Sequence, residues 1–236
     1  MPAIAHELPH HAPDITDWFG GGPDERLRLG NTNSITTERT VDAHEHLYLE
    51  GQRQTHVYLL LEGVVGRYKL LPDGRRQIVS FSYPGDMIGL DCPERHVDSA
   101  EALDRVRVRT IPFNAIDRLM TTEPGFGQAL LRVAAAELAD SREQMITLGR
   151  KSASEKLAGF LVRIANRNAS IGEDPDTITL PMKRSEIADF LGLTIETVSR
   201  QFTRLRTARI IHLSSSTHVQ VLDADRLQAI ADGDDA

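Results

Sequence analysis

The sequence predicts an α+β protein with three parts in chain order: a β-rich domain, one long helix and a C-terminal winged helix-turn-helix. Short apolar strands separated by turn signals occupy residues 34–113, a helical period begins after Pro124, and residues 184–203 have helix-turn-helix spacing. The predicted parts are a loosely ordered tail over residues 1–28, the β-rich domain over 29–123, the long helix over 124–150 and the winged domain over 151–236.

Composition places the chain among soluble globular proteins. Of its 236 residues, 40% are hydrophobic and 26% charged. No apolar run approaches the roughly 20 residues that cross a bilayer, and the first residues lack the basic start and apolar core of a signal peptide. We therefore expect a cytoplasmic location and no membrane partner. The single cysteine, Cys92, rules out an intrachain disulfide and an all-cysteine metal or iron–sulfur site within one chain.

The clearest strands of the β-rich domain are VVGRYKL (64–70) and RQIVSFSY (76–83). Leu71-Pro72-Asp73-Gly74-Arg75 joins them with hairpin turn chemistry. Further along, arginines 105, 107 and 109 alternate with apolar or hydroxyl residues. This alternation is typical of a solvated strand face, and a phosphate-binding track is the alternative.

The long helix carries a heptad seam, which consists of Leu131, Ala134, Leu138, Ser141, Met145 and Leu148. So narrow a seam favours pairing with a second copy of the same helix. The alternative is one amphipathic helix lying on the chain's own sheet. We expect a homodimer, because a helix-turn-helix such as that predicted over residues 184–203 is typical of proteins that read DNA palindromes, and such reading needs two-fold symmetry.

The helix-turn-helix prediction rests on three positions. A small residue at Ala188 lets two helices cross closely, Gly192 can take the positive φ of the turn, and Val198 anchors the second helix. Thr194 is a good N-cap for that second helix.

The second helix has an apolar face and a polar face. The apolar face holds Val198, Phe202 and Leu205, and the polar face holds Glu196, Ser199, Arg200 and Thr203. In the major groove, Arg can donate two hydrogen bonds to guanine and Glu can accept one from cytosine. The alternative is a plain i,i+4 ion pair between Glu196 and Arg200.

Local charge favours a DNA partner although the whole chain is acidic. Residues 181–212 hold six basic side chains against three acidic ones, a net charge of +3, whereas the chain has a formal net charge of -7. Before this segment, Ser152-Ala153-Ser154-Glu155 is a capping box that opens a helix over about 153–167, and a short strand is expected around Leu180. After it, residues 210–213 and 219–222 bracket a serine-rich turn and predict a two-stranded wing.

This order resembles the Crp/Fnr family of bacterial transcription regulators from about residue 30 onward. Residues 47–90 look like the cyclic-nucleotide-binding-like β-roll (a jelly roll) of that family, LGRKSASEKLAGFL (148–161) like its hinge, and LPMKRSEIADFLGLTIETVSRQFTRL (180–205) like its reading head. Glu196-x-x-Ser199-Arg200 is similar to the Fnr and FixK branches, whose sites are TTGAT-N4-ATCAA-type palindromes. The resemblance implies that Arg200 contacts guanine, Glu196 the cytosine opposite or its neighbour, and Ser199 the adjoining thymine region.

Other residues are expected to contact partners without reading bases. The residues expected at the DNA backbone are Lys183, Arg184, Thr194, Thr197, Thr203, Ser214 and Ser216. In an activator of this family, Asp73 and Arg75 at the hairpin tip would contact RNA polymerase. The alternative for the tip is a solvated turn.

Departures from the family pattern concern the input signal. Members that bind cyclic AMP hold its phosphate with an Arg-Ser pair, and here Asp98 precedes Ser99. A carboxylate there would repel phosphate. Fnr-type clusters need four cysteines, so the resemblance is to the FixK-like branch, which often lacks a built-in cofactor. Cys92 is either a redox thiol or an unreactive side chain.

Histidines provide two further alternatives, a metal enzyme and a haem sensor. His44-x-His46-x-x-x-Glu50 has the ligand spacing of a cupin metal site, but no histidine follows the Pro84-Gly85 turn as a second half-site would require. We expect no metal site. A haem-based sensor of the same family would have axial ligands among His10, His11, His44 and His56.

Overall fold

The α+β class is confirmed in the computed structural model, which describes residues 36–90, 94–123 and 125–234. The tail over 1–28 and Cys92 lie outside the described residues. The strands of the N-terminal domain are β1 (Thr37–Val41), β2 (His46–Tyr48), β3 (His56–Glu62), β4 (Val65–Leu70), β5 (Arg76–Ser82), β6 (Met87–Ile88), β7 (Ser99–Ala102) and β8 (Val106–Pro112).

These strands form two four-stranded sheets, with the orders β1-β8-β3-β6 and β2-β7-β4-β5. The pairs β1–β8, β3–β8, β3–β6 and β2–β7 are antiparallel. Apolar side chains from the strands, among them Val57, Leu60, Ile88 and Val108, are fully buried. The predicted hairpin is β4–β5. Its turn closes with hydrogen bonds from Leu71 N to Arg75 O and from Gly74 N to Leu71 O, both 2.8 Å.

The arginines that alternate along β8 lie in an ion-pair network on the sheet surface. Arg107 and Arg109 both pair with Glu38 of β1, at 2.9 and 2.8 Å, and Arg107 also pairs with Glu62 of β3. Hydrogen bonds from Arg109, which has the larger effect, and from Arg107 hold the pKa of Glu38 below its usual range. Arg107 and Arg109 therefore donate to carboxylates of neighbouring strands. This arrangement matches the solvated strand face and not the phosphate-binding track.

Two helices follow the sheets, α1 (Phe113–Thr122) and α2 (Phe126–Arg150). The sequence reasoning missed α1, a short helix whose N-cap is Pro112 and whose buried face is Ala115, Ile116 and Leu119. Phe126 and Ala129 of α2 are buried in the same core cluster as α1.

The six seam residues of α2 are exposed, with Leu131 at 70% and Met145 at 65% of their full exposure. The chain's own sheets therefore do not cover the seam. The alternative, in which the seam of a single amphipathic helix packs on those sheets, is wrong. Pairing with a second copy stays a prediction.

The winged domain consists of α3 (Ala153–Ser170), β9 (Thr177–Thr179), α4 (Arg184–Leu191), α5 (Ile195–Thr207), β10 (Ile211–Leu213), β11 (His218–Val221) and α6 (Ala224–Asp232). Ser152 accepts a hydrogen bond from Glu155 N, so the predicted capping box opens α3. The helix ends at Ser170, beyond the expected residue 167, just before Gly172 takes a φ of 78°. The strand expected around Leu180 lies just before it, as β9, and joins the wing in a sheet of order β10-β11-β9.

The chain divides into two compact units. One holds the described parts of Met1–Val65 and Ser82–Ala139, and the other holds Gly66–Phe81 and the described part of Asp140–Ala236. Most of the β4–β5 hairpin therefore belongs to the unit that carries the helix-turn-helix. The predicted domain bounds stay predictions.

Gly63, in the turn between β3 and β4, is expected to tolerate no side chain. Its φ is +82°, and an added Cβ would lie 2.7 Å from the carbonyl oxygen of Arg105. Gly51 has a similar φ of +80° with no atom within 4 Å of its Cβ position, so it is a matched control. Gly51→Ala should lower the free energy of unfolding by about 1 kcal/mol through φ strain alone. Gly63→Ala should lower it by about 2 kcal/mol more through overlap with backbone. Urea unfolding measures both, and equal losses would contradict the close approach.

Candidate nucleic-acid interface

The helix-turn-helix has the geometry that its spacing predicts. Ala188 is buried on α4, Val198 is buried on α5, and Gly192 between the two helices has a φ of 61°. The amide of Leu193 donates to Ala188 O at 2.9 Å, which closes the turn. The left-handed conformation at Gly192 ends α4 and directs the chain into α5.

Thr194 begins the reading helix as its N-cap. Its hydroxyl accepts a hydrogen bond from Thr197 N at 3.2 Å. Val198, Phe202 and Leu205 are buried, so one face of α5 packs into the domain. The opposite face is left to solvent.

The three predicted base readers, Glu196, Ser199 and Arg200, all lie on this exposed face. Of the ion pairs among the described residues, none joins Glu196 to Arg200. The Arg200 guanidinium instead donates to Thr197 Oγ1 at 3.1 Å. Hydrogen bonds from its own backbone N–H and from Thr194 hold the pKa of Glu196 below its usual range. Glu196 is therefore an ionised acceptor at neutral pH, and Arg200 keeps donors for a guanine edge.

The predicted backbone contacts surround this face but differ in exposure. Lys183 is exposed at the start of α4, where its amide donates to Glu186 Oε2 at 2.6 Å. Arg184 is half-buried, and its guanidinium carbon lies 3.3 Å from the ring centroid of Phe202. Burial lowers the pKa of Arg184 to about 10. Thr203 is exposed and its hydroxyl donates to Ser199 O at 3.0 Å.

The wing connection, Ser214 to Thr217, is a network of hydroxyl groups around His218. Ser214 Oγ donates to His218 O at 3.4 Å, while Ser215 Oγ and Thr217 Oγ1 each lie 3.0 Å from His218 Nδ1. Ser216 is exposed at the tip. Backbone contact by the residues named here stays a prediction.

Sequence reasoning missed Ile195, the first residue of α5. It is 48% exposed and lies beside Glu196, whereas the other apolar residues of this helix are buried. The signal was available, because Ile195 falls outside the Val198, Phe202 and Leu205 stripe.

Family models match both halves of the chain. A Crp-like helix-turn-helix domain matches residues 155–230, and a cyclic nucleotide-binding domain matches residues 38–123. The nitrogen fixation regulation protein FixK of Bradyrhizobium diazoefficiens is 42% identical over 187 residues, which is 79% of this chain and 78% of that protein. The transcriptional activatory protein AadR of Rhodopseudomonas palustris is 44% identical over 190 residues, with 79% and 78% covered.

The chain belongs to the Crp/Fnr family of transcription regulators. The solved structure of FixK2 from Bradyrhizobium japonicum superposes with a TM-score of 0.78 at 34% identity, covering 83% of this chain and 97% of that one. Crp/Fnr regulators bind DNA through the helix-turn-helix, and they are not enzymes. The resemblance drawn from the motifs is thereby confirmed.

In the β-roll of this Crp/Fnr member, residues 96–103, here called the cassette, contact other side chains and backbone of the chain. Asp98 is buried, and its carboxylate accepts a hydrogen bond from Tyr48 Oη at 3.2 Å. Ser99 Oγ accepts from Glu50 N at 3.0 Å. The ring of His96 stacks on Tyr48 with centroids 3.6 Å apart. The cassette therefore holds a buried carboxylate, which disfavours an anionic ligand beside it. Independence from cyclic nucleotides stays a prediction.

The histidines do not assemble the predicted cupin spacing. His44 Nδ1 lies 3.2 Å from Glu101 Oε1, and His46 is exposed on β2. No group of three or more His, Cys, Asp or Glu side chains that could hold a metal ion occurs in the described part of the chain. The enzyme alternative is wrong because the chain belongs to a family of transcription regulators, and the expected absence of a metal site stays a prediction.

Of the candidate haem ligands, His56 lies with its Nδ1 2.9 Å from Thr55 Oγ1, and His10 and His11 fall outside the described residues.

Among the described helices, none is long and apolar enough to span a membrane.

Lys183 is expected to hold a DNA phosphate. Lys183→Ala should weaken binding by a similar factor on cognate and scrambled duplexes, and should reduce the slope of log affinity against log salt by about one unit. Arg39→Ala, which removes an exposed cation of β1, is the control and should leave the slope unchanged. A loss confined to the cognate duplex, with an unchanged slope, would contradict the phosphate contact.

Proposed function

We propose that this Crp/Fnr regulator binds TTGAT-N4-ATCAA-type palindromes as a homodimer and activates transcription without cyclic AMP, an iron–sulfur cluster or haem. The observation that carries the proposal is the exposed face of α5, where Glu196, Ser199 and Arg200 lie together opposite the buried stripe. FixK and AadR, whose names describe a nitrogen fixation regulator and a transcriptional activator, are similar over more than three quarters of the chain. A bacterial DNA-binding regulator is expected to act in the cytoplasm.

Base reading follows from the chemistry of this face. Arg200 donates two parallel hydrogen bonds to guanine, and ionised Glu196 accepts from the amino group of cytosine. Arg200 is oriented by Thr197, which in turn contacts the N-cap hydroxyl of Thr194 at 3.1 Å. A side chain so held loses less conformational freedom when it meets DNA.

Ile195 adds an apolar contact to this readout. An exposed isoleucine at the start of a reading helix loses water contact when it packs against an apolar group, and the thymine methyl is the apolar group of the major groove. Its place beside Glu196 matches a site in which thymines precede the guanine.

The exposed seam of α2 supports the homodimer. Leu131, Leu138 and Met145 are large apolar side chains left in water along one helix face. Burying them against the same face of a second copy removes apolar area on both chains, and helix pairing at 3.5-residue spacing does so along the whole seam. Two-fold pairing also places two reading helices on one side of the duplex.

The cassette supports independence from cyclic AMP. A phosphate that entered it would meet the buried Asp98 carboxylate, which already accepts from Tyr48. Adding cyclic AMP is therefore expected to leave DNA affinity unchanged. An absorption spectrum of the purified protein without a Soret band would separate a bare regulator from a haem sensor.

The tip of the β4–β5 hairpin supports a polymerase contact. Asp73 and Arg75 are exposed, and their side chains pair at 2.7 Å. The backbone amide and the guanidinium of Arg75 hold the pKa of Asp73 below its usual range. The tip therefore presents a fixed, ionised pair to a partner at neutral pH.

Arg200→Ala is the sharpest test of base reading. Losing a bidentate contact to guanine should cost roughly 1 to 3 kcal/mol per half-site and erase the preference at that base pair. Glu196→Ala should relax discrimination at its own base pair while leaving overall affinity similar or higher, since it removes an acid near phosphate. Competition binding on single-base variants of the palindrome measures both.

The matched control for these variants is Gln220→Ala, which changes an exposed side chain of β11 away from α5. If each variant lost affinity by the same factor on every single-base variant of the palindrome, Arg200 and Glu196 would not be base readers. Equal wild-type affinity for the palindrome and a scrambled duplex at physiological salt would sink the proposed function itself.

The polymerase contact has its own test. Asp73→Ala combined with Arg75→Ala should reduce activated transcription in a purified system and leave DNA affinity unchanged, because the hairpin tip holds neither base reader. Lys69→Ala, an exposed change on β4 outside the tip, is the control. Unchanged transcription in the double variant, or a loss of DNA binding, would contradict the proposal.

A further inference from the structure

The C-terminal end of α4 is held by two side chains from outside the helix-turn-helix. The last carbonyls of a helix have no partner within the helix and need other donors. Ala188 O receives the amide of Leu193. The next two carbonyls each receive a glutamine amide: Gln77 Nε2 donates to Asp189 O, and Gln144 Nε2 donates to Phe190 O at 2.8 Å.

These two glutamines come from different elements of the same compact unit. Gln77 lies on β5, and Gln144 lies near the C-terminal end of α2, 46 residues before its acceptor. In the last turns of α2, Gln144 and Thr147 are half-buried while Glu143 and Met145 are exposed. The part of α2 that meets α4 is therefore the half-buried face beside the seam, together with the last seam residue, Leu148.

Apolar contacts surround the glutamine hydrogen bonds. Leu148 Cδ2 lies 3.1 Å from the position that a Cβ of Gly192 would take. The ring of Phe190 packs beside those of Phe81 and Phe160, with centroids 5.1 and 5.9 Å away. Partial exclusion of water strengthens a hydrogen bond and makes an unpaired carbonyl costly.

We propose that Gln144 is a positioning residue, assisted by Gln77, that fixes the reading head against the end of α2 and so sets the spacer length that the dimer accepts. This inference rests on the proposed function, because α2 must be the dimer axis. One base pair more or less moves a half-site by about 3.4 Å and turns it by about 35° around the duplex. A helix-turn-helix can distinguish palindromes whose spacers differ by one base pair only if it is held at a fixed angle to α2, the dimer axis.

The experiment measures affinity for palindromes whose spacers run from two base pairs shorter to two longer than N4, and for a duplex with a single half-site. Gln144→Glu keeps the shape but replaces the donor with a carboxylate that repels the Phe190 carbonyl. Gln144→Lys keeps a donor. Gln128→Glu makes the same change of charge at an exposed position of α2 and is the matched control.

Wild type, Gln144→Lys and Gln128→Glu should prefer one spacer. In Gln144→Glu the ratio of affinities between that spacer and its neighbours should fall by about fivefold, the equivalent of one hydrogen bond, while half-site affinity stays unchanged. If Gln144→Glu does not fold, as judged by circular dichroism, Gln144→Met is measured with the same expectation.

Unchanged spacer preference in the Gln144 variants would overturn the inference. So would an equal loss on every duplex, including the half-site, because that is the result of a merely structural role. A wild type that is monomeric by analytical ultracentrifugation, or that shows no spacer preference, would overturn the proposed homodimer first.

Discussion

The left-handed turn at Gly192 is the constraint on which the reading head depends. A residue with a Cβ would be strained at a φ of 61° and would press against Leu148, 3.1 Å from the Cβ position. Because the turn is this tight, α4 and α5 cross where Ala188 and Val198 are both buried. That crossing fixes the rotation of α5 about its own axis. Its polar face, with Glu196 and Arg200, is therefore directed outward without any requirement on the side chains themselves.

A different constraint acts in the β-roll, where the carboxylate of Asp98 is buried. Burying a carboxylate is costly unless hydrogen bonds compensate for the lost water, and the hydroxyl of Tyr48 supplies one of them. The stacked ring of His96 covers Tyr48 from the other side. Polar groups of the cassette thus form hydrogen bonds with this chain's own side chains and backbone.

Local patterns allowed much of the architecture to be predicted from the sequence. Each of the predicted features depends on spacing within one short stretch of sequence: the exposed seam of α2, the Ala188, Gly192 and Val198 spacing, the capping box at Ser152 and the hairpin around Gly74. The pairing of Gln77 and Gln144 with α4 could not be predicted, because a lone glutamine gives no signal of a partner 46 or 112 residues away. Helix α1 was missed because it begins directly after the strand β8, with Pro112 as its N-cap and no capping side chain. The exposure of Ile195 could not be predicted from the apolar stripe alone, because an apolar residue at the first position of a helix can either pack or face solvent.

The charge distribution explains how an acidic protein can read DNA selectively. A formal net charge of -7 repels phosphate at a distance, but at physiological salt this repulsion is screened beyond roughly 8 Å. Close to the duplex, the cations of the reading segment outnumber its acids six to three. Binding that depends on phosphates alone is weakened by the chain's other charges, whereas hydrogen bonds to base edges are not. The acidic surface therefore lowers the electrostatic contribution to both kinds of binding, and discrimination between sites depends on the hydrogen bonds to base edges.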